Sequence, residues 1–254
     1  MPRLDQLLVT QGLARSRTRA QRLIRHGRVR LAMGGTPLTK PGEKLPEATG
    51  LTVEDDPEER YASRAGLKLE ALIEALELSL SGRSVLDVGQ STGGFTDCAL
   101  HCGARHVIGV EVGHDQLDAR LRHDPRVTCL EGLNARAMAS DPRLEAAFAA
   151  LEIEGPELAV MDVSFISQTL ILPELAVLLP PESELLSLVK PQFEVGPGGV
   201  NARGLVVDQR RFAEVEVRIR QVCAALGFEI LHWRQSPLLG GDGNREFLLH
   251  AVRR

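Results

Sequence analysis

Aromatic residues and paired cysteines are both scarce in this chain of 254 residues. Phe, Tyr and Trp together make up 4% of the sequence, so aliphatic side chains must fill the core. None of the four cysteines forms a C-x-x-C pair; they are Cys98, Cys102, Cys129 and Cys223. This spacing predicts free thiols in a reducing compartment and no metal site.

The sequence also lacks an export signal and a long apolar run. Asp5 and Gln6 interrupt the opening MPRLDQLLVTQG before any apolar core develops. The most apolar later stretch, LILPELAVLLPP, is broken by Pro173, Glu174 and 180–181, and so falls short of the roughly 18 apolar residues that a membrane span needs. We therefore expect a cytoplasmic protein with no membrane partner.

The net charge of −4 hides two segments of opposite sign. Residues 1–45 hold ten Lys and Arg against two acidic residues, and the remainder of the chain carries a net charge of −12. A basic module joined to an acidic one predicts attachment to nucleic acid by the first and separate chemistry in the second. We interpret 46–59, PEATGLTVEDDPEE, as the end of the small domain and a linker, which predicts domains at 1–59 and 60–254.

The basic segment has a helical pattern. Ser16 can cap a helix that runs to about His26, and Gly27 can end it in the left-handed conformation. An earlier helix, 4–11, offers leucines as its packing partner. Arginines gather on the face of the predicted helix opposite its apolar side, and a solvated basic face is the alternative reading. The residues expected to contact RNA are Arg3, Arg15, Arg19, Arg22, Arg25 and Arg28.

From residue 83 onward, short β-type runs alternate with helical stretches. This alternation predicts an α/β fold with a parallel, Rossmann-like sheet. Two last runs, FEILHWRQS and EFLLHAV, are separated by a glycine-rich turn and predict an antiparallel hairpin at the sheet edge. Seven strands with a terminal hairpin are the variant of the doubly wound fold used by methyltransferases.

The loop DVGQSTGGFTD follows the first strand of this domain. Gly89, Gly93 and Gly94 match neither the dinucleotide spacing nor the P-loop spacing, and no lysine follows to meet a phosphate. Glu111, about twenty residues on, can accept hydrogen bonds from ribose hydroxyls. A ribose site without a phosphate cradle fits S-adenosylmethionine, whose ammonium can meet oxygens around 87–89; a purely structural turn is the alternative.

Several motifs resemble known families. RLDQLLVTQGLARSRTRAQRLIRHGRVRL…TKPGEKL resembles the small α+β RNA-binding domain named after a ribosomal small-subunit protein. DVGQSTGGFTD resembles the cofactor loop of the FtsJ-like ribose methyltransferases, and more closely their TlyA type, which carries the same RNA-binding domain in front. RYASRAGLKLEAL, MDVSFIS, LVKPQFEVG and GNREFLLH follow in that family's order. The resemblance implies S-adenosylmethionine-dependent 2′-O-methylation of ribosomal RNA, at cytidine, within ribosomal subunits or their precursors.

The same resemblance places a Lys-Asp-Lys-Glu catalytic set on Lys68, Asp162, Lys190 and Glu246. Removing the proton of a ribose hydroxyl needs a base, and a lysine can serve only if its pKa is lowered by partial burial or by a neighbouring ammonium; we assign that role to Lys190, with Lys68 as the second positive charge and the two carboxylates as groups that orient the amines. Pro191 is expected to stop a helix and hold the lysine at the rim. Surface ion pairs are the alternative role for these side chains. The residues expected at the cofactor are Asp87, Gly89, Ser91, Thr92, Gly93, Gly94, Phe95, Glu111 and Asp162.

Four residues depart from the family's usual pattern: Ala65, Gln90, Glu111 and Gly132. Gln90 could crowd the methionine part of the cofactor or give it a hydrogen bond, and Phe165 could line the pocket or belong to the core. A non-catalytic RNA-binding or ribosome-assembly factor with a degenerate pocket is therefore a second hypothesis. A cytolysin is a third, because the family is often labelled haemolysin; no pattern specifies an oligomeric state.

Overall fold

The computed structural model describes residues 1–56, 59–241 and 243–254, and it divides into two units, Met1–Arg60 and Tyr61–Arg254. The first unit is a small α+β domain. Its helices and strands are α1 (Leu4–Thr10), α2 (Arg17–Arg25), β1 (Val29–Leu31) and β2 (Leu51–Val53). The apolar faces of α1 and α2 pack together, as the leucine spacing predicts, and the two strands pair antiparallel.

The local signals around α2 are confirmed. The Ser16 side chain accepts a hydrogen bond from the Arg19 backbone N–H, and Gly27 has a φ of 69° just beyond the helix. The stretch 46–59, interpreted as the end of the small domain and a linker, supplies β2, whose Leu51 side chain is buried in the core of the first unit. Residues 57–58 of the same stretch lie outside the described residues.

The second unit alternates strands and helices. Its helices are α3 (Ala65–Leu76), α4 (Gly94–His101), α5 (Ala119–Arg122), α6 (Pro142–Ala150), α7 (Leu172–Leu178), α8 (Pro191–Glu194) and α9 (Gln209–Ala225). Its strands are β3 (Ser84–Val88), β4 (His106–Glu111), β5 (Val127–Glu131), β6 (Leu158–Met161), β7 (Glu184–Val189), β8 (Phe228–Gln235) and β9 (Phe247–Arg253). Each strand lies where the sequence pattern predicts one.

These strands form one sheet in the order β5-β4-β3-β6-β7-β9-β8, in which β3 to β7 run parallel to one another and β9 pairs antiparallel with both β7 and β8. The predicted seven-stranded α/β sheet with a terminal hairpin is thus confirmed. Strand order reverses at β3, so the loops after β3 and β6 border a crevice of the kind in which such sheets bind ligands. No helix within the described part of the chain is long and apolar enough to cross a membrane.

Candidate active site

The loop after β3 depends on glycine at two positions. Gly89 has a φ of 84°, and a Cβ atom there would lie 2.7 Å from the Asp162 carbonyl oxygen. Gly93 has a φ of 91°, and a Cβ atom there would collide with the Leu117 and Leu121 side chains. Both positions combine a left-handed backbone with close packing, which only glycine tolerates without strain. The loop therefore lies tightly against the end of β6.

A cleft of about 470 Å³ opens beside this loop. Its walls include Gly89, Ser91, Val110, Glu111, Val112, Leu133, Asp162, Val163, Ser164, Phe165 and Ile166. The Glu111 carboxylate accepts hydrogen bonds from the Ser91 N–H at 2.8 Å and the Gly113 N–H at 2.7 Å. The cleft thus has the size and mainly apolar lining of a small-molecule site, with the Glu111 carboxylate fixed on its wall by two backbone donors.

The predicted cofactor residues divide into three groups. Gly89, Ser91, Glu111 and Asp162 line the cleft. Thr92, Gly94 and Phe95 line a smaller recess of about 70 Å³ that shares Gly89, Ser91 and Asp162 with it. Asp87 and Gly93 line neither cavity. They support the conformation of the loop after β3.

Asp87 lies fully buried at the end of β3. Its Oδ2 accepts a hydrogen bond of 2.6 Å from the Thr96 hydroxyl, and within the described residues its Oδ1 has no donor. Burial raises the pKa of Asp87 to about 7, the nearby carboxylates of Asp162 and Glu111 add to the rise, and the Thr96 hydrogen bond opposes it. This carboxyl therefore supports the loop through Thr96 and does not face the cleft.

The Gln90 side chain also points away from the cleft. Its amide donates a hydrogen bond of 2.9 Å to the Thr96 hydroxyl and lies against Gly109 of β4, where a Cβ atom would collide with it. The side chain is almost fully buried, so it does not crowd the cleft. Gly109, a glycine within a strand, is the sequence signal for this close approach, and the sequence analysis missed it.

The four predicted catalytic residues form two ion pairs. Lys68 Nζ lies 2.5 Å from Glu246 Oε2, and both side chains are buried. Lys190 Nζ lies 2.7 Å from Asp162 Oδ1 and donates a hydrogen bond of 2.8 Å to the Ser164 hydroxyl. Lys190 therefore contacts Asp162 as an ion pair and Ser164 by a hydrogen bond.

The sheet register explains why these residues approach one another. Val189 pairs with Phe247, so Lys190 directly follows β7 where Glu246 directly precedes β9. Asp162 directly follows β6, the other neighbour of β7. The expectation that Pro191 stops a helix is wrong: Pro191 begins α8, where its fixed φ and missing N–H suit the first helical position.

Lysine itself is a signal that the sequence analysis missed. Among the Lys and Arg residues of the chain, only four are lysines, at positions 40, 44, 68 and 190, and all the others are arginines. Within 61–254, lysine therefore occurs only at the two positions of the ion pairs. Arginine stays protonated in proteins, whereas lysine can lose its proton. Lysine at positions 68 and 190 therefore keeps proton transfer chemically possible there.

The loop that carries Asp162 and Ser164 is fixed at its far end by Glu194. This buried carboxylate accepts hydrogen bonds from the Ser167 hydroxyl at 2.6 Å and the Gln168 N–H at 2.8 Å. Between these anchors, Phe165 has a φ of 63° and is 91% exposed at the rim of the cleft. Phe165 is therefore a rim residue and not part of the core.

The predicted RNA-contacting arginines of the first unit are arranged less uniformly than the helical pattern suggests. Arg3, Arg15 and Arg25 are exposed, although Arg3 forms an ion pair of 3.0 Å with Asp5. Arg28 is half-buried. Arg19 and Arg22 both contact Glu59, so a carboxylate lies on the face that the sequence analysis expected to be purely basic.

Comparison with known proteins identifies both units. A model of the FtsJ-like methyltransferases matches residues 61–253, and a model of the S4 domain matches residues 2–48. The chain belongs to the FtsJ-like methyltransferase family. Because the first model spans the described sheet and both ion pairs, the second unit is the methyltransferase and the first is an S4 domain.

Several relatives match almost the whole length of this chain. TlyA of Mycobacterium tuberculosis, a 16S/23S rRNA (cytidine-2′-O)-methyltransferase, is 40% identical over 97% of this chain and 88% of its own. YqxC of Bacillus subtilis, a candidate rRNA methyltransferase, is 45% identical over 98% of this chain and 84% of its own. The solved structure of a candidate hemolysin from Streptococcus thermophilus has a TM-score of 0.75 at 38% identity and covers 99% of this chain and 88% of its own. The resemblance to the TlyA type is confirmed.

Proposed function

We propose that this methyltransferase transfers a methyl group from S-adenosylmethionine to the 2′-hydroxyl of a ribose in ribosomal RNA, at cytidine. The observation that carries the proposal is the pair of lysine–carboxylate contacts: Lys190 with Asp162, which lines the cleft, and Lys68 of α3 with Glu246, which precedes β9 opposite the end of β7. The named activity of the mycobacterial relative supports the same substrate.

The cleft fits the cofactor. Its volume of about 470 Å³ suits a nucleoside-sized ligand, and Gly89 lets the backbone come close at the end of β3. Glu111 would accept hydrogen bonds from the ribose hydroxyls, because each of its oxygens has a free lone pair beyond its backbone donor. Bound S-adenosylmethionine would supply a methyl carbon on a positively charged sulfur; an oxygen nucleophile attacking that carbon would form the O–C bond as the sulfur leaves as a neutral thioether.

In this proposal Lys190 Nζ first releases one proton to solvent and then, as the neutral amine, accepts the proton that the acceptor hydroxyl must lose. A ribose hydroxyl is a very weak acid in water, so an amine placed within hydrogen-bond reach lowers the barrier to methylation. Ser164 and Asp162 fix the position of Lys190 Nζ. In the buried Lys68–Glu246 pair, Glu246 fixes the position of the Lys68 ammonium, and that ammonium stabilises the alkoxide as it develops.

The proposal predicts that labelled S-adenosylmethionine, mixed with purified ribosomal subunits from a strain that lacks the gene, transfers its label to RNA. A calorimetric titration with the cofactor alone measures binding separately. If the chain binds RNA but neither binds the cofactor nor transfers label, it is instead a non-catalytic RNA-binding factor.

A further inference from the structure

The S4 unit places an acidic segment against its own basic helix. Glu59 Oε2 lies 2.5 Å from the Arg19 Nε atom, and Glu59 Oε1 lies 2.9 Å from the Arg22 Nε atom. Arg19 also donates a hydrogen bond to the Glu59 carbonyl oxygen. Just before Glu59, Asp56 Oδ2 lies 2.6 Å from His26 Nδ1 at the end of α2. One carboxylate therefore joins two arginines that are three residues apart on the helix.

Two guanidinium groups at this spacing repel one another unless an anion lies between them. The Glu59 side chain is only 7% exposed, so the charges meet in a partly desolvated place. The anion that arginine pairs recognise best, apart from a carboxylate, is a phosphate, because its oxygens match the N–H groups of the guanidinium. The geometry thus describes an anion site that a phosphate group also fits.

Glu59 fills this site imperfectly. Although its Oε1 lies close to Arg22, no donor N–H of the described residues is aligned with that oxygen, which is buried. Burial raises the pKa of Glu59 above its ordinary value, and the two arginines oppose the rise without cancelling it. A phosphodiester has no such disadvantage, since it stays ionised and can offer more than two acceptor oxygens.

A cavity of about 400 Å³ beside Arg19 and Glu59 is also lined by the acidic residues Glu54, Asp55 and Asp56, so we expect a phosphate to contact the two guanidinium groups and not this cavity. We infer that Arg19 and Arg22 form a binding subsite for one backbone phosphate of the RNA, and that the Glu59 carboxylate occupies this subsite until RNA displaces it. The inference rests on the proposed action on RNA, and it adds a competitor that belongs to the chain itself.

Glu59→Gln tests the competition, with Glu47→Gln as the matched control. Both substitutions remove one negative charge from the S4 unit, but Glu47 is exposed and forms no ion pair within the described residues. Binding of the full chain to a fluorescently labelled short RNA duplex is measured at several salt concentrations. Glu59→Gln should tighten RNA binding about tenfold, which corresponds to the free energy of one additional hydrogen bond between an arginine and a phosphate. It should also make the affinity depend more steeply on salt concentration, because two arginines are freed.

The gain must depend on the arginines. Adding Arg19→Ala and Arg22→Ala to Glu59→Gln should abolish the tighter binding, and thermal unfolding checks that each variant is folded. Equal affinities of Glu59→Gln and Glu47→Gln would overturn the inference while leaving the proposed function intact. A wild-type chain that does not bind RNA at all would instead overturn the proposed function.

A measurement on the unmodified chain gives the same test without a variant. Hydrogen exchange of the peptide that contains Glu59 should become faster when the RNA duplex is added, because RNA releases the carboxylate from α2. Slower exchange of that peptide on RNA binding would contradict the inference, since it would mean that Glu59 stays in place under the RNA.

Discussion

Replacing Lys190 with arginine separates a proton acceptor from a fixed positive charge. Arginine retains the charge beside Asp162 but cannot act as a base at working pH. If Lys190 accepts the ribose proton, Lys190→Arg and Lys190→Ala should both be inactive. If Lys190 serves only as a positive charge, the arginine variant should retain most of the activity.

The expected loss follows from the role of the group. A positioned general base contributes about 10²- to 10⁴-fold to a rate. At 1.36 kcal/mol for each tenfold change, that is about 2.7 to 5.4 kcal/mol in the barrier. Cofactor affinity should fall far less than the rate, since Lys190 lines neither the cleft nor the recess and reaches the cleft only through its contacts with Asp162 and Ser164.

Single-turnover methyl transfer to purified subunits measures the rate, and calorimetry measures the affinity for S-adenosylmethionine. Ser164→Ala is a useful companion, because it removes one hydrogen bond to Lys190 Nζ and leaves the lysine in place. We expect a smaller loss for that variant than for Lys190→Ala. Transfer by Lys190→Arg at near wild-type rate would refute the assignment of the base.

Three further predictions test the rest of the site. Glu246→Gln leaves Lys68 buried without its charged partner and should lower the free energy of unfolding by about 3 kcal/mol or more, as measured by urea unfolding. The double variant Lys68→Met with Glu246→Leu should restore stability but not activity. An unchanged free energy of unfolding for Glu246→Gln would contradict this prediction. Glu111→Gln should weaken cofactor binding about tenfold to a hundredfold in calorimetry and leave the saturated rate nearly unchanged, so unaltered binding would exclude the ribose contact. The pKa of Asp87 is raised from 3.8 to about 7, so between these pH values the folded chain holds a proton that the unfolded chain loses, and stability falls as the pH rises from about 4 to 7. Asp87→Asn should remove this contribution to the pH dependence of the free energy of unfolding, measured with urea. A pH profile identical to that of the wild-type chain would contradict this prediction.

The sequence carries enough information for the strands because their residues are buried on both faces of the sheet. Runs such as SVLDV and LAVM read as strands without any knowledge of neighbours, and the sheet order follows from the usual winding of such folds. The meeting of Lys190 and Asp162 follows in turn, since both end parallel strands that are adjacent.

Other features depend on contacts that no local pattern encodes. Glu59 lies 40 residues after Arg19 in a stretch that reads as an acidic linker, so its return to α2 is a tertiary event. Gln90 reads as a residue that could enter the cleft, and only the missing side chain at Gly109 lets it turn inward. The restriction of lysine in 61–254 to two positions was visible in the sequence, but its meaning depends on knowing that both lysines face carboxylates.

The position of the transferred methyl group tests the central claim most directly. Ribosomal RNA labelled by the wild-type chain and by Lys190→Arg is digested to nucleosides and analysed by mass spectrometry. We predict that the wild-type chain places the methyl group on the sugar of cytidine and that the arginine variant yields no methylated nucleoside. A methyl group on the base, or undiminished sugar methylation by the variant, would contradict the claim.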